Sequence, residues 1–186
     1  MWWIVGPSSQ PANLGNYLNA CGCQYFAHPP GMLASLQDLR QQTAFPSNLT
    51  VERVSNSTQL MQWTEIVQVG DGISASLKAG YYELFNSQSF GAGASCSLFL
   101  GTVNGRPVAT SRLFPAGGIA GIYHVATLPE ARGHGYGTAM TLAAAHAGGE
   151  AGYQVAGLFA TPAGYGVYRR LGFQEACFMD VYQYPT

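Results

Sequence analysis

A mixed α/β fold with antiparallel strands is predicted by three features of the sequence. Segments with strand and helix patterning alternate along the chain. Asn104-Gly105, the dipeptide that most readily supplies the positive φ angles of a tight hairpin, joins two apolar runs. A glycine-punctuated loop, Arg132 to Gly137, leads into the alanine-rich run Thr138 to Ala147, which has high helix propensity. The chain has 186 residues, 47% hydrophobic and 9% charged, enough for one well-packed domain carrying a smaller lobe and too apolar for disorder. Eight basic against nine acidic side chains leave a net charge of -1, which lacks the footprint of a nucleic-acid binder and favours a small-molecule partner.

Trp2 to Gly6 reads as a strand ended by Pro7, followed by a helix with Leu14, Tyr17, Leu18 and Cys21 at three- and four-residue spacings and Gly22 at its end. Cys23 to Ala27 and Met32 to Leu39 flank His28-Pro29-Pro30-Gly31 as a candidate hairpin. A strand at Leu49 to Val54 and a helix at Thr58 to Val69 follow, the helix burying Leu60, Trp63, Ile66 and Val67. A second helix is expected from Ser74 to Phe85, then a Ser/Gly loop from Ser87 to Ser95. Cys96 to Val103, Arg106 to Phe114 and Ile119 to Thr127 form a meander of three strands. After the alanine-rich helix, which Gly148-Gly149 is expected to end, come a strand at Tyr153 to Ala160, a helix at Gly164 to Leu171 and a last extended stretch, Glu175 to Tyr184.

Cys21 and Cys23 are spaced as CxC, not as a zinc finger, and no second half-site accompanies them, so the four cysteines read as reduced thiols of a cytoplasmic protein. The N-terminus MWWIVGP has no basic segment and meets Pro7 too early for a signal peptide, and no apolar run reaches the length of a membrane span. The two ends of the chain echo one another. Strand, Pro, helix, Gly, strand occurs at Trp2 to Ala27 and again at Val155 to Phe178, with Pro7 matching Pro162, Gly22-Cys23 matching Gly172-Phe173, and Leu18 standing where the second copy has Tyr168.

The loop after Pro129 carries the chemistry. Gly133, Gly135 and Gly137 let the backbone approach a phosphate, while the N–H groups of the first helical turn and the positive helix end attract its charge. Alone, such a run is also compatible with a plain chain reversal. There is no GxxxxGK[ST], and the spacing and acidic partner of the dinucleotide fingerprint are missing.

Arg132, Gly135 and Gly137 fill the pattern (Gln/Arg)-x-x-Gly-x-(Gly/Ala), and LFATPAGYGVYRRLGF places a tyrosine before a Leu-Gly-Phe triplet. In these two motifs, in this order, the chain resembles the GCN5-related N-acetyltransferase (GNAT) family over about Asn48 to Tyr184. The resemblance implies a largely antiparallel central sheet flanked by helices and splayed between the family's fourth and fifth strands, here those ending near Thr127 and Ala160. It also implies acetyl-coenzyme A as donor and direct transfer to an amine; separately, the aromatic N-terminal strand is one that a homodimer would cover. Some family members are tandem, and residues 1–45 look like the remnant of a degenerate first module, with 46–186 as the acetyltransferase domain.

The resemblance assigns roles residue by residue. Val125, Ala126 and Thr127 fall where the main chain meets the pantetheine arm, and Arg132, Gly133, His134, Gly135, Tyr136, Gly137 and Thr138 where it meets the pyrophosphate. Arg132 is equally suited to local hydrogen bonds, and His134 to solvent. Thr161 either bonds the pantetheine or caps the next helix. Tyr168 corresponds to the acid that protonates the leaving thiolate, a phenol being protonated at neutral pH, though it could equally be packed like Tyr165. Where some members of the family carry a glutamate on the fourth strand, this chain has Ala120. His124 is the imidazole on that strand, placed by alternation on the face of Ala120 and Ile122, and is either the base or a core residue. Glu65, Asp71 and Glu83 would draw a cationic acceptor if they were not simply surface carboxylates. A non-catalytic acyl-coenzyme A binder, and a small-molecule binding or resistance protein of similar sheet, are the competing classes.

Overall fold

The computed structural model describes residues 2–43, 45–72, 74, 77–90 and 94–185; the side chain of Asp71, the start of the helix expected from Ser74, and the glycines within 87–95 lie outside them. The elements are β1 (Trp2–Val5), α1 (Leu14–Ala20), β2 (Gln24–Ala27), β3 (Pro30–Ser35), α2 (Leu36–Arg40), β4 (Leu49–Arg53), α3 (Ser57–Asp71), α4 (Lys78–Ser89), β5 (Ser97–Val103), β6 (Arg106–Ala116) and β7 (Ile119–Thr127). They continue with α5 (Tyr136–Glu150), β8 (Val155–Phe159), α6 (Pro162–Leu171), β9 (Gln174–Phe178) and β10 (Asp180–Gln183). The expected mixed, largely antiparallel sheet flanked by helices is present. Among the described residues no helix is long and apolar enough to cross a membrane.

The chain forms two compact units, Ala34–Gly157, and Met1–Leu33 with Leu158–Thr186. In the larger unit β4, β5, β6 and β7 are antiparallel neighbours in that order. The β5–β6 turn has Asn104 at φ 50° and Gly105 at φ 76°, both central residues left-handed as a type I′ turn requires. Parallel pairing of β8 on β7 is confined to Ala120 with Ala156 and Gly121 with Gly157, while β7 itself continues to Thr127. On one side of this sheet, Leu60, Trp63, Ile66 and Val67 of α3 and Phe85 of α4 pack with Leu98, Leu100 and Ala126. α3 starts where Asn56 accepts from the Gln59 N–H at 2.9 Å and ends at left-handed Gly72.

The other side is covered by α5, whose Ala139, Met140, Leu142, Ala144 and Ala145 are buried. Gly148 and Gly149 do not stop this helix as expected. A Cβ on Gly148 would stand 2.7 Å from the Ala120 Cβ, so the glycine allows the helix to lie against β7, and that packing outweighs the low helix propensity of glycine. α4 likewise runs on to Ser89.

In the smaller unit the hairpin expected from Cys23 to Leu39 does not form. β2 pairs with β10 and β3 with β9, and the end of that stretch is the helix α2, capped by Ser35. The last extended stretch is correspondingly two strands. Strand order is β1-β10-β2 in one sheet and runs β8-β3-β9 at the end of the other, so exchanging β1, β2, β3 with β8, β9, β10 reproduces the order. The echo in the sequence extends to the helix ends. Gly22 (φ 85°) and Gly172 (φ 99°) are both left-handed. The Cys23 N–H donates to the Leu18 carbonyl at 2.9 Å, and the Phe173 N–H donates to the Tyr168 carbonyl at 3.0 Å.

Candidate active site

In the larger unit the site is built from the end of β7 and the start of α5. After Thr127, a 3-10 turn at Pro129–Ala131 carries the chain to Gly133 (φ 83°) and Gly135 (φ 79°), conformations that an L side chain adopts only with strain. Gly135 is the N-cap of α5 and no side chain caps this end, so the first-turn N–H groups, including those of Tyr136, Gly137 and Thr138, are directed out of the helix. Gly137 has an ordinary helical φ, and a Cβ there would meet the Thr127 Oγ1 at 3.8 Å, an unforced contact. The arrangement suits an anion.

The side chains around the loop hold it in place. Arg132 Nε donates to the Thr127 carbonyl at 3.2 Å. His134 Nδ1 lies 2.9 Å from the Arg132 carbonyl and 3.2 Å from that of Ala131, so the proton sits on Nδ1, and the ring stacks on Tyr136 with centroids 5.6 Å apart. Tyr136 is buried, and its hydroxyl accepts from Asn48 Nδ2 at 2.9 Å. A groove of about 460 Å³ lined by Val103, Val108, Ala131, His134 and Tyr136 borders the loop, with Arg106 paired to Glu130 at 2.7 Å on its rim.

His124 does not lie on the face of Ala120 and Ile122. Arg112 pairs with Tyr123 but Thr110 pairs with Ala126, so Ser111 is opposed by both His124 and Val125, and His124 takes φ 48°. This bulge reverses the alternation. The His124 ring therefore stands edge-on to Trp63 at 5.6 Å and to Phe85 at 5.2 Å, on the α3–α4 face. Ala126 turns to the same face, where it would touch a Cβ on Gly70. Main-chain groups freed by the bulge are satisfied from the side: Thr110 Oγ1 donates to the His124 carbonyl at 3.0 Å, and the Trp63 indole N–H to the Ser111 carbonyl at 3.2 Å. Alternation holds only in an unbulged strand, and the sequence does not mark where this bulge falls, since the bulge contains no glycine.

On the same face Arg112 is held between the rings of Phe85 and Phe114, with its Cζ 5.1 and 4.8 Å from their centroids, and its Nη2 donates to Gln88 Oε1 at 2.6 Å. This residue went unnoticed in the sequence; a cation in the middle of an apolar strand is the signal that could have found it. Glu65 is exposed and paired with Lys78 at 2.6 Å, and Glu83 is also exposed.

Thr161 and Tyr168 belong to the smaller unit. Thr161 is the N-cap of α6, accepting from the Gly164 N–H at 3.2 Å, with Pro162 in the first turn. Tyr168 is buried, its ring 5.9 Å from that of Phe173 and tight against Gly164.

Residues 94–175 match the family model of the Acetyltransferase (GNAT) domain. No curated protein sequence matches the chain. Its fold is similar to that of a GCN5-related N-acetyltransferase from Kribbella flavida, with TM-score 0.75 and 22% identity over 100% of this chain and 68% of that one. A tandem GNAT protein from the clavulanic acid biosynthesis pathway superimposes with TM-score 0.68 and 15% identity over 97% of this chain and 62% of that one. A predicted acetyltransferase from Clostridium acetobutylicum, solved with acetyl-CoA, gives TM-score 0.58 and 19% identity over 69% of this chain and 91% of that one. Residues 94–175 therefore carry the similarity to the acetyltransferase (GNAT) domain.

Proposed function

We propose that the protein is an acetyl-coenzyme A-dependent N-acyltransferase that moves an acetyl group directly to a primary amine of a small-molecule acceptor. One observation carries this reading: α5 opens with no side-chain cap behind two left-handed glycines, an anion cradle at the end of the third meander strand. In it, the N–H groups from Gly133 to Thr138 receive the pyrophosphate of coenzyme A, and the main chain of Val125, Ala126 and Thr127 lines the pantetheine arm. Arg132 keeps the loop in shape through the Thr127 carbonyl. The Clostridium relative solved with acetyl-CoA supports this choice of ligand.

Bound acetyl-coenzyme A supplies the thioester. His124, set on the acceptor side by the bulge, takes the proton from the attacking amine, and main-chain N–H groups released at the bulge stabilise the oxygen as its charge grows. Tyr168 gives its phenolic proton to the departing sulfur, and Thr161, besides capping α6, bonds the pantetheine. A second reading, a non-catalytic acyl-coenzyme A binder, is favoured by the aromatic packing of His124 and by Ala120 at the place of the family's glutamate.

We further read residues 1–45 as the remnant of a first module and 46–186 as the acetyltransferase domain, supported by the interchangeable halves of the smaller unit. Trp2, Trp3 and Phe26, all exposed, are the residues a homodimer contact would cover. The decisive experiment pairs two measurements. Coenzyme A at 100 times its dissociation constant should stabilise the protein by roughly 2.7 kcal/mol, and acetyl-coenzyme A with an amine panel should release thiol. Stabilisation without release selects the second reading; neither result rejects both.

A further inference from the structure

We propose that the acceptor is a small aminocarboxylate whose carboxylate is read by Arg112 while its amine faces His124. This rests on the acetyltransferase reading above. Both groups sit on the α3–α4 face of the larger unit and share one neighbour: the Phe85 ring is 5.1 Å from the Arg112 Cζ and 5.2 Å from the His124 ring centroid. The cation and the imidazole are therefore at most about 10 Å apart. An amine and a carboxylate contacting both must belong to one short molecule.

The environment of Arg112 is unusual for a merely structural arginine. A half-buried guanidinium ordinarily recovers its lost hydration by pairing with a carboxylate. Here the ion pairs among the described residues involve other groups, His28 with Asp180, Lys78 with Glu65, and Arg106 with Glu130. Arg112 has instead two phenyl faces, which hold the guanidinium plane, and the neutral amide of Gln88. Its Nε is buried with no hydrogen-bond partner among the described residues. Among the described residues the charge is thus fixed in orientation and left without a counter-ion, the state that a planar, bidentate anion completes. Of the described carboxylates on α3 and α4, Glu65 is paired with Lys78 and Glu83 is exposed. The surrounding rings of Trp63, Phe85 and Phe114 leave an apolar setting in which such a pair would be worth more than in water.

The test uses the full chain and matched acceptors: glycine, β-alanine, 4-aminobutyrate and phenylalanine, each against its carboxamide. Thiol release should give kcat/KM at least tenfold higher for one or more of the acids than for the corresponding amide. Arg112→Gln should bring that ratio close to one, mainly through KM, and Arg112→Lys should keep only part of it. A merely structural arginine would lower the melting temperature without changing the ratio. The second readout does not need turnover: with coenzyme A saturating, the 15N signal of the Arg112 Nε–H should shift on adding a preferred acid and not on adding its amide. Acids that bind and shift this signal without thiol release would sink the catalytic reading but leave the carboxylate site standing. Equal or better use of the amides, or no acid in the panel moving the Arg112 signal, overturns the proposal.

Discussion

The indole N–H of Trp63 donates to the main-chain carbonyl of Ser111 at 3.2 Å, opposite the two residues, His124 and Val125, that form the β7 bulge. The bond reaches from α3 into the sheet at the irregularity of the β6–β7 ladder, so a helix residue far away in sequence holds the bulge that aims His124. Trp63→Phe would keep an aromatic ring against Phe85 but leave that buried carbonyl unpaired, at a cost of about 1–3 kcal/mol. Denaturant titration should show that loss, and acetyl transfer should fall by more than the unfolded fraction explains. Wild-type stability would mean the bulge does not depend on this bond.

Two glycines of the cofactor loop should behave differently. Gly135, at φ 79°, resists any side chain for conformational reasons, and Gly135→Ala should cost about 1–2 kcal/mol of stability together with coenzyme A affinity. Gly137 has no such requirement, and a methyl there meets nothing closer than the Thr127 Oγ1 at 3.8 Å. Gly137→Ala should therefore leave the melting temperature unchanged or higher, yet weaken coenzyme A binding tenfold or more by keeping the phosphate off the backbone. Titration calorimetry beside thermal melting separates the two effects. Undiminished affinity in Gly137→Ala would argue that the loop only turns the chain.

Such positions were legible because one local conformation decides them. Asn104-Gly105 and Gly135 stand where the chain takes positive φ, which glycine adopts without strain and asparagine more readily than most residues. What stayed hidden depends on contacts distant in sequence. Gly148-Gly149 has the composition of a helix stop, but Ala120 of β7 needs the space that Gly148 leaves. Strand alternation put His124 on the wrong face because nothing in HVAT announces a bulge held by Trp63 and Thr110. Arg112 could be read only as an isolated charge until Phe85 and Phe114 were seen on either side of it.

Alkaline pH offers a check on α6. The Tyr165 hydroxyl donates to the Glu175 carboxylate in a short hydrogen bond. That bond, with smaller additions from burial and from the Glu175 charge, raises the Tyr165 pKa above its ordinary 10.0. The neutral phenol is the form the fold prefers, so its contribution to stability is complete below the unfolded value and is lost as pH rises through the folded one. Ultraviolet titration should show a late-ionising tyrosine that Tyr165→Phe removes and Glu175→Gln moves back toward its ordinary range. Tyr182 is also raised, chiefly by burial, and supplies the late signal that remains in both variants.

Tyr168 carries the heaviest assignment, and Gly164 gives a way to test it twice. Tyr168→Phe keeps the buried ring against Phe173 and removes only the hydroxyl, so turnover should fall at least tenfold with coenzyme A affinity nearly unchanged. Gly164→Ala leaves the hydroxyl in place but sets a methyl 2.7 Å from the Tyr168 Cε2 and 3.2 Å from its Cζ, which forces the ring to move. Without that conflict, alanine in a helix would stabilise by about 1 kcal/mol. A merely packed tyrosine would lose stability in Gly164→Ala and keep its turnover per folded molecule. A proton donor must hold its position, so turnover should drop in both variants, and steady-state rates corrected for the folded fraction decide between the two roles.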